Sequence, residues 1–112
     1  MRHAVPEPVG DPFDALGDPN RREILRLLGQ GDKAVTELAA AMPISRPAVS
    51  RHLRLLKEAQ LVTEQAVGTK RIYRLQEEGL EAVRAFVDRV WGDAAMRFSL
   101  VANNLTRDSI GD

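Results

Sequence analysis

Apolar residues recur at intervals of three and four along most of this 112-residue chain, the spacing of amphipathic helices, and give way to two short strand-like runs in residues 61–75. Residues 1–10 contain two prolines and a glycine without periodicity and read as a flexible arm. A short helix is expected over Pro12 to Leu16, after which Gly17-Asp18-Pro19 supplies a break, an N-cap and a proline suited to a first turn. The second helix should run to about Leu28 with Ile24, Leu25, Leu27 and Leu28 as its stripe. Gly29-Gln30-Gly31 should end it with positive φ angles. Thr36 is expected to cap a third helix of barely two turns, stopped by Pro43. Ser45 should cap a fourth, Arg46 to about Ala59, with Pro47 in its first turn. Short helix, tight turn and second helix make a helix-turn-helix outline.

Leu61 to Val67 and Arg71 to Leu75 read as strands joined by Gly68-Thr69-Lys70, a hairpin in the position of a wing. Tyr73 and Leu75 alternate on one strand face and are expected to pack under the helices. From Glu77 to Phe98 a long helix carries Leu80, Val83, Val87, Val90, Trp91, Ala94 and Phe98 on one stripe, and residues 99–112 read as a frayed tail. The expected fold is mostly α with a small β-hairpin wing: a winged helix-turn-helix of five helices and two strands, in the order α-α-α-α-β-β-α, forming one domain over residues 11–98.

Formal net charge is zero, yet its distribution is lopsided. Pro43 to Arg74 holds seven basic residues against two acids, whereas both flanks carry more acids than bases. A basic patch within a neutral protein is the footprint of one face that meets phosphate. On a helical wheel Val49, Leu53 and Leu56 turn inward, while Pro47, Ser50, Arg51 and Arg54 lie opposite, with Arg46 and Lys57 at the rim. Such a helix suits the major groove of double-stranded DNA, where arginine can chelate guanine. Lys70 and Arg71, beside the hairpin tip, can reach the adjoining backbone. His52 lies near the buried edge of its helix and reads as a packing or phosphate contact.

The last helix has more apolar residues than a lone surface helix needs, Phe86 included, which points to a homodimer interface made by Val83, Phe86, Val87, Val90, Trp91, Ala94 and Phe98. Other classes find little support. With no cysteine there is no disulfide framework, thiolate zinc site or cysteine nucleophile. The only histidines are His3 and His52, so no metal first shell, cofactor site or catalytic relay can be assembled, and an enzyme is not expected. No apolar run could span a bilayer and the first residues lack a signal-peptide core, which places the protein in the cytoplasm. The remaining alternative is a winged-helix module that binds another protein instead of DNA; its exposed helix face would be apolar or acidic, contrary to Arg51, Arg54, Lys70 and Arg71.

The stretches PNRREILRLL, VTELA, ISRPAVSRHLRLLKEAQLV and GTKRIYRL resemble the ArsR/SmtB family of bacterial winged-helix repressors over roughly Asp11 to Phe98. That resemblance implies a five-helix dimer whose first helix, with Phe13 and Leu16, joins the last at the interface, and which binds palindromic operators and represses. It places Ser45, Arg46, Ala48, Ser50, Arg51, His52 and Arg54 in the DNA-reading helix, with Lys57 at its end, and Lys70 and Arg71 in the wing. The chain departs from metal-sensing members: Thr36-Glu37-Leu38-Ala39-Ala40-Ala41 stands where many carry a cysteine pair, and the last helix offers Asp88 and Asp93 but no histidine. It is more similar to the metal-free branch. A small-molecule or protein effector is compatible with that branch, but none is written in these residues.

Overall fold

The computed structural model describes residues 10–110, in the order α1 (Pro12–Ala15), α2 (Pro19–Leu28), β1 (Lys33–Ala34), α3 (Val35–Ala40), α4 (Arg46–Glu58), β2 (Val62–Val67), β3 (Lys70–Leu75) and α5 (Glu77–Ile110). They fall into two compact units, one ending at Glu81 and the other beginning at Ala82. The five helices and the hairpin occur in the expected order, with shifted bounds at α3, β3 and α5, and a two-residue strand, β1, is added. Residues 1–9 of the expected arm lie outside the described residues. Gly10, its last residue, is fixed: its N–H donates to Glu58 O at 3.1 Å.

Local chemistry explains the helix starts. Asp11 Oδ1 accepts from the Phe13 N–H at 3.0 Å, and Asp18 Oδ1 accepts from those of Asn20 and Arg21 at 2.7 and 3.2 Å, so α1 and α2 each begin on a capping carboxylate followed by proline. Arginines of α2 then satisfy the far end of α1: Arg21 Nε donates to Ala15 O at 2.8 Å and Arg22 Nη1 to Leu16 O at 2.7 Å. At the close of α2, Gly29 keeps helical φ (−64°), and Gly31 alone takes a positive angle (148°). The third helix departs from its expected start. Ala34, held extended by pairing with β3, is the N-cap, and Glu37 Oε1 accepts the Ala34 N–H at 2.8 Å, so Thr36 falls inside the first turn.

The core lies between α2, α3, α4 and the sheet. Ile24, Leu38, Val49, Leu53, Leu56 and Val62 are completely buried, joined by Leu27, Leu28, Met42, Ala59, Leu61 and Tyr73. The three strands order as β1-β3-β2, all antiparallel. The hairpin turn is two residues long, Gly68-Thr69, because Lys70 already pairs with Val67; Gly68 has φ +62°, the first central angle of a type II′ turn. Tyr73 is flanked by Lys33 and Glu64 and is buried. Leu75, expected beside it under the helices, pairs only with Val62 at the strand end and is exposed.

The end of α4 is fixed by a Schellman motif. Leu61 N donates to Leu56 O at 2.9 Å and Gln60 N to Lys57 O at 3.0 Å, while the buried side chains of Leu56 and Leu61 supply the hydrophobic partner contact. The left-handed residue, usually glycine, is Gln60 with φ +61°. Gln60 O in turn accepts the Gly79 N–H at 2.8 Å, bringing the first turn of α5 against the close of α4. A Cβ on Gly79 would lie 2.5 Å from Ala59 O.

Helix α5 continues to Ile110 instead of ending near Phe98, and no proline or glycine interrupts residues 93–110. In the unit that starts at Ala82, Phe86, Val87, Val90 and Trp91 are exposed. The Phe86 and Trp91 rings meet edge to face at 6.2 Å and 78°, and the Arg89 guanidinium lies 5.9 Å from the Phe86 centroid.

Candidate nucleic-acid interface

Helix α4 starts at Ser45, whose Oγ accepts from the Ala48 N–H at 3.2 Å and whose backbone is extended (φ −72°, ψ 156°). With the start so fixed, period 3.6 settles the faces. Val49, Leu53 and Leu56 anchor the helix inward; Ser45, Arg46, Pro47, Ser50, Arg51, Arg54 and Lys57 are exposed, and Ala48 is half-buried. His52 does not join that outer face. It is 7% exposed, and its Nδ1 lies 3.4 Å from Arg21 Nη1, so it packs against α2. A guanidinium only donates, which makes Nδ1 the acceptor.

The seven basic residues from Pro43 to Arg74 divide into two groups. Arg74 pairs with Asp32 at 2.9 Å, tying β3 to the loop before β1. Lys57 and Arg71 share one carboxylate, that of Glu64 in the middle of β2: Lys57 Nζ lies 2.5 Å from Oε1 and Arg71 Nη1 2.6 Å from Oε2. The Tyr73 hydroxyl donates to the same Oε2 at 3.3 Å. The hydrogen bonds from Lys57 and then Arg71 hold the Glu64 carboxyl below the usual range, outweighing the burial that pushes it up. Burial and the facing Glu64 charge push the Tyr73 hydroxyl up.

Arg46, Arg51, Arg54 and Lys70 form the second group. Among the described residues no carboxylate pairs with any of them, and all four are exposed. Arg46 and Ser50 of α4 and Thr69, Lys70 and Arg71 of the hairpin line one cleft of about 380 Å³, together with Thr36 at the start of α3. Thr36 and Thr69 were not among the expected site residues. Thr36 reads from sequence as a helix cap, and its place in the cleft follows from β1 drawing the start of α3 against the wing.

Residues expected at a dimer interface are distributed as follows. Phe13 is exposed, Leu16 is half-buried against the core, and Val83 and Ala94 are half-buried. Phe86, Val87, Val90 and Trp91 are exposed, with Trp91 at 55%. The Phe98 side chain lies outside what the structure describes. Among the described residues no group of three or more histidine, cysteine, aspartate or glutamate side chains could hold a metal ion, and no helix is long and apolar enough to cross a membrane.

Residues 18–64 match the family model described as bacterial regulatory protein, arsR family. The HTH-type transcriptional regulator Rv2034 of Mycobacterium tuberculosis is 44% identical over 100 residues, 89% of each chain. The transcriptional repressor SdpR of Bacillus subtilis is 38% identical over 69 residues, 62% of this chain and 77% of that one. The solution structure of the homodimeric winged helix-turn-helix DNA-binding domain Mb0332 from Mycobacterium bovis, a possible ArsR-family regulator, superposes with a TM-score of 0.59 at 31% identity, covering 77% of this chain and 80% of the other.

Proposed function

Since the chain belongs to the arsR family of bacterial regulatory proteins, a family of winged helix-turn-helix transcriptional regulators, we propose that it reads a palindromic operator in double-stranded DNA as a homodimer and represses transcription there. The observation that carries this reading is the outward group of cations. Arg46, Arg51 and Arg54 on one exposed helix face, and Lys70 across the cleft, are held by no acid of the described chain and are available to an external polyanion. Helix α4 enters the major groove with Ser50, Arg51 and Arg54 toward base edges. Arg46 and Lys70 grip the flanking backbone, and Ser45, Ala48 and Thr36 approach the phosphates at the groove's rim.

The exposed aromatic and aliphatic side chains of α5 after Ala82 support dimerisation, as does the homodimeric state of the Mycobacterium bovis domain. Two copies related by a two-fold axis would set their α4 helices about 34 Å apart, one turn of B-DNA. The relative named as a repressor supports the negative sign of regulation.

The test is a titration of the purified protein against its own upstream DNA and a shuffled duplex at two salt concentrations. Preference for the native fragment, with affinity falling steeply as salt rises, is the expected result; weak and equal binding to both would sink the reading. Within that assay Arg51→Ala or Arg54→Ala should cost about 1–3 kcal/mol on the native fragment and much less on the shuffled one, and equal losses on both would refute base reading. Lys70→Ala should weaken both duplexes alike and lower the salt slope by about one unit.

A further inference from the structure

Glu64 has no place in the DNA contacts just described, yet it is the most heavily partnered carboxylate on this side of the molecule. Its side chain is 15% exposed, against 52% for Lys57 and 66% for Arg71. The strand register sets Glu64 opposite Tyr73, which is buried, so the carboxylate is rooted in the sheet while its two cations reach it from exposed positions. Lys57 comes from the last turn of α4 and Arg71 from the wing strand: the elements that would flank DNA are joined by this one acid.

We propose that Glu64 is an affinity-limiting positioning residue, which competes with the DNA backbone for Lys57 and Arg71 and withholds both from phosphate contact. The inference rests on the DNA-binding reading above. A phosphate that captured either cation would have to strip it from a largely buried carboxylate. Losing both would leave that carboxylate, partly buried against the sheet, with the Tyr73 hydroxyl as its remaining hydrogen-bond partner and its charge without a counter-ion. Two cations and one anion present a net charge of only +1 to the polyanion. The cluster therefore braces the wing against α4 while adding little to the sequence-independent grip, and release of DNA at moderate salt stays easy.

The test compares the full-length wild type with Glu64→Gln, an isosteric and neutral change, on the upstream duplex and a random-sequence duplex over a range of salt. If wild-type affinity does not depend on salt, the DNA-binding reading itself fails, whatever the variant does. If wild type binds as expected, Glu64→Gln should bind both duplexes more tightly. The slope of log affinity against log salt should steepen by about 0.9 for each released cation, nearly two units in all. A purely structural role for Glu64 gives the opposite sign, weaker binding with an unchanged or shallower slope, and that result in a variant with native circular dichroism would overturn the proposal. Should Glu64→Gln not fold, Lys57→Gln and Arg71→Gln in the wild-type background decide the matter. Each should leave the slope within a few tenths of wild type, whereas a drop of about 0.9 in either would mean that the cation already sits on phosphate.

Discussion

Trp91→Asp is expected to sediment as a monomer at low micromolar concentration, while retaining the helical signal of the wild type. Trp91 is 55% exposed on its own chain, so its replacement costs that chain chiefly the edge-to-face contact with Phe86, and aspartate in an exposed helix position costs only about 0.7 kcal/mol in propensity. The loss falls on association. A tryptophan carries roughly 150–250 Å² of surface, and burying the exposed half of it contributes about 2–3 kcal/mol per protomer. The substitution removes that contribution twice across a two-fold interface and adds two carboxylates to an apolar seam beside Phe86, Val87 and Val90. With one recognition helix instead of two tethered ones, affinity for a full operator should fall by about 10²–10⁴ while contact within a half-site persists. A variant still dimeric at that concentration would move the interface elsewhere.

The largest effect on stability is expected at Gly79, in the first turn of the same helix. An added methyl would sit 2.5 Å from Ala59 O and 2.8 Å from Gln60 O, both main-chain atoms that no rotamer change can move aside. It would also strain the 2.8 Å hydrogen bond by which Gly79 N–H satisfies Gln60 O. Overpacking of this kind costs about 1–3 kcal/mol, so Gly79→Ala should lower Tm by on the order of 10 °C in thermal unfolding followed by circular dichroism. Gly92 offers the internal contrast, since nothing stands within 4 Å of the position its Cβ would take, and Gly92→Ala should raise Tm slightly by the helix propensity of alanine. If the two substitutions gave the same shift, the close approach of α5 to the end of α4 would be wrong.

Much of this arrangement was legible because the information is local. Caps such as Asp18 and Ser45 act within three residues, and the two-sided character of α4 needs only period 3.6 and the identities of Val49, Leu53, Leu56, Arg51 and Arg54. What stayed hidden depends on partners far along the chain. β1 is two residues of unremarkable propensity, made a strand only by pairing with Ile72 and Tyr73, and through it the expected cap moved from Thr36 to Ala34. Gln60 occupies a left-handed position without being glycine, so composition gave no sign of it. Glu64 counted from sequence merely as one of two acids diluting a basic segment, since nothing local ties it to Lys57 and Arg71 at once. His52 sits on the wheel's border between the two faces, and the proximity of Arg21 resolves it inward.

The pairing of β1 with β3 also bears on how the domain is completed during synthesis. Lys33 finds its partner only at Tyr73, with α3, α4 and β2 lying between the two in sequence. While a nascent chain has left the ribosome only through Glu58, both helices of the helix-turn-helix exist as sequence, yet the edge that seats α3 has nothing to bond to. Closing that edge spends the entropy of a long loop, which the packing of α3 on α4 and the β2–β3 hairpin within it offset in part. The strand carrying Lys70 and Arg71 is therefore also the clasp of the domain: the pairing of β3 with β1 brings the wing residues and the start of α3 to one cleft.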